Sequence, residues 1–197
     1  MKHLLYALLT AVSILFTSCG PSSNTNTPQE PNVPQPQPQP QPEVTQKVVI
    51  GYLALDDWEF ENLFPTIEWK YLTHINASFA RVKADGTLNI NPVRKRIESV
   101  RETAHKHNVK ILISLAKNSP GEFTTAINDP KARKELIQQI IAFTKEYKLD
   151  GFDIDYEEYD NWDKNFPSLL VFARGLYLAK EKNMLMTCAV NSRWLNY

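Results

Sequence analysis

From Lys47 onward the chain alternates short apolar runs with stretches of helical periodicity. Val48-Val49-Ile50-Gly51-Tyr52-Leu53 is a near-continuous apolar run, the pattern of a strand covered on both faces. Tyr71–Ala80 reads as a second strand and Asp85-Gly86 as the turn behind it. Asn91-Pro92 opens a helix, Asn as cap and Pro in the first turn, with Val93, Ile97, Val100 and Ala104 on its apolar stripe. Val109–Ala116 is a third strand, and Asp129-Pro130 opens a second capped helix that turns Leu136, Ile137, Ile140, Ile141 and Phe143 inward. Leu149–Tyr156 is a fourth strand. Leu169, Leu170, Phe172, Ala173, Leu176 and Tyr177 form the stripe of a third helix, which Asn183 ends before a fifth strand, Met184–Val190.

Alternating strands and helices predict a parallel sheet with helical crossovers. Such a sheet either stays open and doubly wound or closes into a (β/α)8 barrel. The first strand is not followed by a Gly-rich phosphate loop, which weakens the nucleotide-binding version of the open sheet. A full barrel takes about 250 residues, and the stretch from Lys47 has room for about five βα units. The expectation is an α/β fold: the first five or so βα units of a (β/α)8 TIM barrel, or an open five-stranded sheet.

The N-terminal stretch follows different patterns. Lys2 and His3 precede Leu4–Phe16, an apolar run broken only by Thr10 and Ser13. It is too short to span a bilayer, which takes about 20 residues, and fits the apolar region of a secretory signal. It ends in Phe16-Thr17-Ser18-Cys19, which resembles the lipobox of bacterial lipoproteins, with Phe16 where Leu is usual. That resemblance implies a cleaved signal at 1–19, lipidation of Cys19, and anchoring in the bacterial cell envelope, at the outer membrane. Eight of the 13 prolines lie between Pro21 and Pro42, and Glu30 and Glu43 are the charged residues between Gly20 and Gln46. The Pro/Gln-rich segment 20–46 is therefore an extended polyproline linker, reaching roughly 80 Å at about 3.1 Å per residue. It would hold the domain 47–197 away from a membrane.

Charge and cysteine content narrow the function. Lys+Arg and Asp+Glu are 22 each, so the formal net charge is zero, against the basic excess that a nucleic-acid binder needs. Cys19 and Cys188 are the two cysteines, too few for a disulfide framework. Cys188 reads as a small apolar residue in a buried strand, Trp69 as core, and His105 and His107 as residues without a functional role.

The informative stretch is Leu149-Asp150-Gly151-Phe152-Asp153-Ile154-Asp155-Tyr156-Glu157. Strand side chains alternate between faces, so Asp153, Asp155 and Glu157 share one face and Phe152, Ile154 and Tyr156 the other. Like charges in a row at low dielectric are costly, and folding does not ask for them. Glycosidic cleavage does, since it needs one carboxyl group protonated near neutral pH and another that stays ionised. Adjacent carboxylates would raise the pKa of the last, Glu157, and let it act as the acid. Two other readings fit the row. One is a solvated edge strand, against which the interior character of Leu149, Phe152 and Ile154 argues. The other is a Mg²⁺ or Ca²⁺ site, for which EF-hand spacing is absent.

At these residues the chain resembles family 18 glycoside hydrolases, the family of chitinases and endo-β-N-acetylglucosaminidases. Its signature, Asp-x-x-Asp-x-Asp-x-Glu on the fourth barrel strand, is matched by Asp150, Asp153, Asp155 and Glu157. Val48–Tyr52, Leu72–Asn76 with Phe79, and Lys110–Ser114 resemble the first three strands. The resemblance implies substrate-assisted retaining hydrolysis of glycans containing N-acetylglucosamine, without metal or organic cofactor. Glu157 would protonate the glycosidic oxygen, Asp155 would orient the 2-acetamido group, and Asp153 would share a proton with Asp155. Tyr52 and Ser114 match positions that support Asp153, and Phe79 and Trp194 are candidate substrate contacts. Trp58, Trp162 and Trp194 follow strands one, four and five, where exposed aromatics stack on sugars.

Two stretches depart from the family pattern. Ser114-Leu115-Ala116-Lys117 stands where Ser-x-Gly-Gly is common, and Glu158-Tyr159 follows the acid where aromatic-Pro is common. The family's catalytic tyrosine lies on strands six to eight, so a chain with five strands is expected to have little activity of its own. Lectin-like family members make a non-catalytic, glycan-binding lipoprotein the alternative.

The anchor is directly testable. Cys19→Ser should abolish palmitate labelling and release the protein from the membrane fraction. Labelling that persists in the variant, or is absent from the unsubstituted protein, contradicts lipidation at Cys19.

Overall fold

The computed structural model describes residues 47–158 and 161–189, without the side chains of Trp162 and Asp163. The signal, Cys19, the linker and Trp194 lie outside the described residues. Five parallel strands form the sheet: β1 (Ile50–Ala54), β2 (His74–Val82), β4 (Lys110–Lys117), β5 (Gly151–Ile154) and β6 (Leu185–Cys188). A two-residue strand, β3 (Leu88–Asn89), folds back antiparallel onto β2 through the Lys83–Thr87 turn. The helices are α1 (Phe60–Leu63), α2 (Asn91–Arg94), α3 (Ile97–Lys106), α4 (Glu122–Asn128), α5 (Pro130–Glu146) and α6 (Trp162–Ala179).

The strand order, β1-β2-β4-β5-β6, follows the chain without reversal. A doubly wound sheet must reverse its order once, so that version of the expectation falls. With right-handed crossovers, strands added in one direction place their helices on one face, which is the winding of a TIM barrel. The fold is therefore of the TIM-barrel α/β type.

The helix-facing side of the sheet is the core. Ile111, Ile113, Leu115, Phe152 and Ile154 are buried there against Val100 and Ala104 of α3, Leu136 and Ile140 of α5, and Phe172 and Leu176 of α6. Phe123 of α4 meets Tyr156 and Phe172 edge to face, at centroid distances of 5.4 and 5.7 Å. Full burial of each such ring is worth roughly 1.5–3 kcal/mol. Asp129 caps α5 as expected, accepting from the Ala132 amide at 2.7 Å with Pro130 in the first turn.

Several sequence expectations change. The stretch from Asn91 to Lys106 is two helices, not one. At the break Arg96 turns its guanidinium onto the Leu55 and Asp57 carbonyls, at 2.5 and 3.0 Å. β1 is not covered on both faces: Val48, Val49, Ile50 and Tyr52 are exposed, because β1 pairs with β2 alone among the described strands. Cys188, expected in a buried strand, is exposed on β6 at the other edge. Leu170 and Tyr177 are exposed rather than on the core stripe, since α6 packs through Leu169, Phe172 and Leu176. Trp69 is buried as expected, and His107 stacks on it at 5.5 Å between ring centroids.

Gly151 admits β6 to the sheet, since a Cβ there would stand 2.1 Å from the Leu185 carbonyl oxygen. Gly151→Ala must push β6 off β5, and overpacking of this kind costs roughly 1–3 kcal/mol. The expected result is a lower urea midpoint; an unchanged midpoint would show that β6 yields freely.

Candidate active site

The register sets the concave face. Tyr52 lies beside Asn76, and Ser114 beside Asp153, which in turn lies beside Thr187. Asp153 is only 1% exposed, and a carboxylate so buried needs hydrogen bonds to stay charged. It receives three from hydroxyl donors. Tyr52 Oη and Ser114 Oγ donate to Oδ2, both at 2.8 Å, and Thr187 Oγ1 donates to Oδ1 at 2.6 Å. Although Tyr52 as a whole is exposed, partial burial of its phenol, reinforced by the hydrogen bond to Asp153, pushes that group well above its usual range, while a hydrogen bond with the Asn76 side chain opposes the shift. Tyr52 therefore acts as a fixed donor. The second polar atom of Asn76, Oδ1, is buried and has no partner among the described residues.

Asp155 continues the row one step past the end of β5, its amide bonded to the Leu115 carbonyl at 3.0 Å. Its carboxyl group is raised to about 6, first by burial, then by Glu157 and Asp153, with Lys117 and Arg81 opposing. The spacing argument expected the last carboxyl of the row to be the raised one. Asp155 is raised because it is partly buried and stands between two like charges. Lys117 Nζ donates to the Glu157 carbonyl oxygen at 2.7 Å, tying the backbone of that residue to the end of β4.

Asp150 stands at the opposite end of β5 and has a structural task. Its Oδ2 accepts from the Ile111 amide and meets His105 Nε2, each at 2.8 Å, so His105 pins the base of the sheet. Phe79 sits where the β2–β4 register slips between Ala77 and Ala80. The slip re-aims it to 6.4 Å from the Tyr52 ring, with the Arg81 guanidinium 4.9 Å from its centroid. Trp58 is 84% exposed just after β1, as a sugar-stacking residue would be.

The structure thus gathers Tyr52, Phe79, Ser114, Asp153, Asp155 and Glu157 around the ends of β1, β2, β4 and β5. Sequence reasoning missed Thr187 and Asn76. For Thr187 the signal was its parity on the fifth strand; for Asn76 it was an amide within an otherwise apolar strand.

The sequence model described as Glycosyl hydrolases family 18 matches residues 48–194. The chain belongs to this family. A crystal structure of a chitinase from Bacteroides thetaiotaomicron is 99% identical over 77% of the chain and 49% of its own length, with a TM-score of 0.74. Chitinase B of Serratia marcescens is 27% identical over 144 residues, 57% of this chain and 28% of that protein. A Cycas revoluta family 18 chitinase solved with (GlcNAc)3 shares the fold at 23% identity and a TM-score of 0.62, over 72% of this chain and 45% of that one. The chain spans about half the length of the solved family 18 chitinases and about a quarter of the curated relatives it matches.

The family 18 carboxylate row makes a pH prediction. The folded pKa of Asp155, about 6, lies above its ordinary 3.8, so the folded state holds a proton that the unfolded chain has released between these values. This group's contribution to stability is fully present below about pH 4 and is lost as pH rises through 6. Asp155→Asn does not titrate there. The urea midpoint of the variant should gain on that of the unsubstituted protein from pH 4 to pH 7. A difference constant with pH contradicts the raised pKa.

Proposed function

We propose that the protein hydrolyses β-1,4 bonds of glycans containing N-acetylglucosamine, with chitin favoured over N-glycan cores, by substrate-assisted retaining catalysis. The observation that carries this reading is the row of three carboxylates whose innermost member, Asp153, is held by three hydroxyls while its neighbour Asp155 titrates near 6. Near neutrality such a pair carries one proton with little cost. Asp155 orients the 2-acetamido group and, once its proton has moved away, accepts from the amide N–H and offsets the positive charge that develops there. The acetamido carbonyl oxygen then attacks the anomeric carbon and closes an oxazolinium ring. Glu157, exposed at the rim, protonates the departing glycosidic oxygen and then activates the water that opens the ring. Tyr52, Ser114 and Thr187 stabilise the charge left on Asp153. Phe79, Trp58 and Trp194 supply apolar faces for sugar rings. The chitinase names of the relatives support the choice of substrate. Export, lipidation at Cys19 and a linker of 27 residues (20–46) would present this site at the surface of an envelope membrane.

The test is to incubate the full chain with chitin oligomers and, in parallel, with cellulose oligomers. Cleavage should need the 2-acetamido group, and Glu157→Gln should lower turnover by about 10²–10⁴ while oligomer binding persists. Equal cleavage of cellulose oligomers contradicts substrate assistance, and near wild-type turnover by Glu157→Gln contradicts its place as acid. Binding without turnover by the unsubstituted chain is expected both of five strands alone and of the glycan-binding alternative, and turnover by a protein of the relatives' length that carries residues 48–194 separates the two.

A further inference from the structure

Glu157 lies beyond the last residue of β5, so the sheet ladder does not hold it. Its neighbour does something that the family signature does not ask for. Glu158 is a buried carboxylate, and it is clamped onto the turn that opens α4. Its Oε1 accepts from the Gly121 amide at 2.5 Å. Its Oε2 accepts from the Thr124 amide at 2.6 Å and from Thr124 Oγ1 at 2.7 Å. The residue on the other side of Glu157 reaches the same turn, with Tyr156 Oη 2.6 Å from Thr124 Oγ1. A carboxylate has no proton to offer, so the Thr124 hydroxyl donates to Glu158 and accepts from Tyr156. The two residues flanking Glu157 are therefore tied to one threonine. The Glu157 carbonyl is held separately by Lys117.

Charge-assisted bonds to backbone amides are among the stronger ones in proteins. Side chains within a segment alternate, so fixing Tyr156 and Glu158 on the helix side leaves Glu157 to point the other way, toward the concave face. Gly121 makes this turn with φ 82°, a conformation that glycine adopts without strain and that aims its amide at the incoming carboxylate.

We propose that Glu158, through Thr124, is a positioning residue for Glu157 and fixes the orientation of the acid. The claim rests on Glu157 being the acid of the proposed reaction. The clamp itself is a property of the backbone around 156–158 and is measurable without turnover.

Four variants of the full chain separate positioning from mere stability. Glu158→Gln and Thr124→Val break the clamp, Thr124→Ser keeps both donors, and Ala126→Gly weakens the same short helix without touching the clamp. Misplacement of a catalytic group by about 1 Å costs on the order of 10²-fold. On chitin oligomers kcat should therefore fall roughly 10- to 100-fold in the two clamp-breaking variants, with KM within about twofold. Thr124→Ser should restore it, and Ala126→Gly should lower the melting temperature at unchanged kcat. Amide exchange at 156–158 should accelerate in Glu158→Gln and Thr124→Val while exchange in β1 and β2 is unchanged. Unaltered kcat per folded molecule in Glu158→Gln overturns the proposal, as does unaltered exchange at 156–158. If the unsubstituted chain releases no sugar, as expected of five strands alone, the exchange measurement alone decides whether the clamp exists.

Discussion

The structure turns on one buried charge. Asp153 sits in the sheet with almost no water contact, and folding with an ionised carboxylate there is feasible only because three hydroxyls from three other strands converge on it. Each such bond to a charged acceptor is worth roughly 1.5–3 kcal/mol, while an unpartnered charge at that depth would cost more than any one of them returns. The requirement reaches far along the chain. Tyr52 is 101 residues from Asp153, and its strand must lie in register so that its phenol reaches past β2 and β4 to arrive at 2.8 Å. Register in β1, β4, β5 and β6 is thus tied to a single polar cluster, and a one-residue slip in β1, β4 or β6 would turn its donor to the helix side.

The same cluster sets the chemistry of its neighbour. Beside Asp153 is a second place, partly buried and with another like charge on its far side, where a carboxyl group holds a proton well. Asp155 occupies that second place, and its pKa near 6 follows from where it stands rather than from any partner that protonates it. Lys117 and Arg81 act against the shift and keep it within the range where a proton can be gained and lost near neutrality. Two identical side chains, two residues apart in the row, are in this way given different surroundings: hydroxyl donors for Asp153, partial burial and like charges for Asp155.

Much of this was legible in the sequence, because period-two alternation is a strong signal. It placed Asp153, Asp155 and Glu157 on one face, while the family resemblance singled out Tyr52 and Ser114, which lie on β1 and on the adjoining β4. The helices whose apolar residues recur at helical spacing, α3, α5 and α6, were visible for the same reason. Periodicity does not distinguish a central strand from an edge, so the exposure of Val48–Ile50 and of Cys188 was misread. Nor does it register short elements. The two-residue β3 and the seven-residue α4 carry too few turns to make a pattern, and so the partner of Glu158 went unseen. Thr187 was hidden differently: threonine is common in strands, and only the pairing of β6 with β5 shows which way its hydroxyl faces.

The carboxylate row is supported in two distinct ways, and the change falls at the end of β5. Asp153 and Asp155 take their positions from the ladder, where neighbouring strands fix the backbone through regular hydrogen bonds. Beyond Ile154 the ladder stops, and the chain must turn toward α6. Unsupported backbone at a sheet end is ordinarily mobile, which is a poor property for a residue that delivers a proton along one direction. Side chains take over where the ladder ends: Lys117 holds one carbonyl, and Tyr156 and Glu158 bind the turn at Gly121–Thr124. The loop after β4 therefore contributes to the site by holding the chain around Glu157. This gives a physical reason for an acidic residue to follow Glu157 here. The turn offers two amides and a hydroxyl, and a carboxylate can satisfy all three at once.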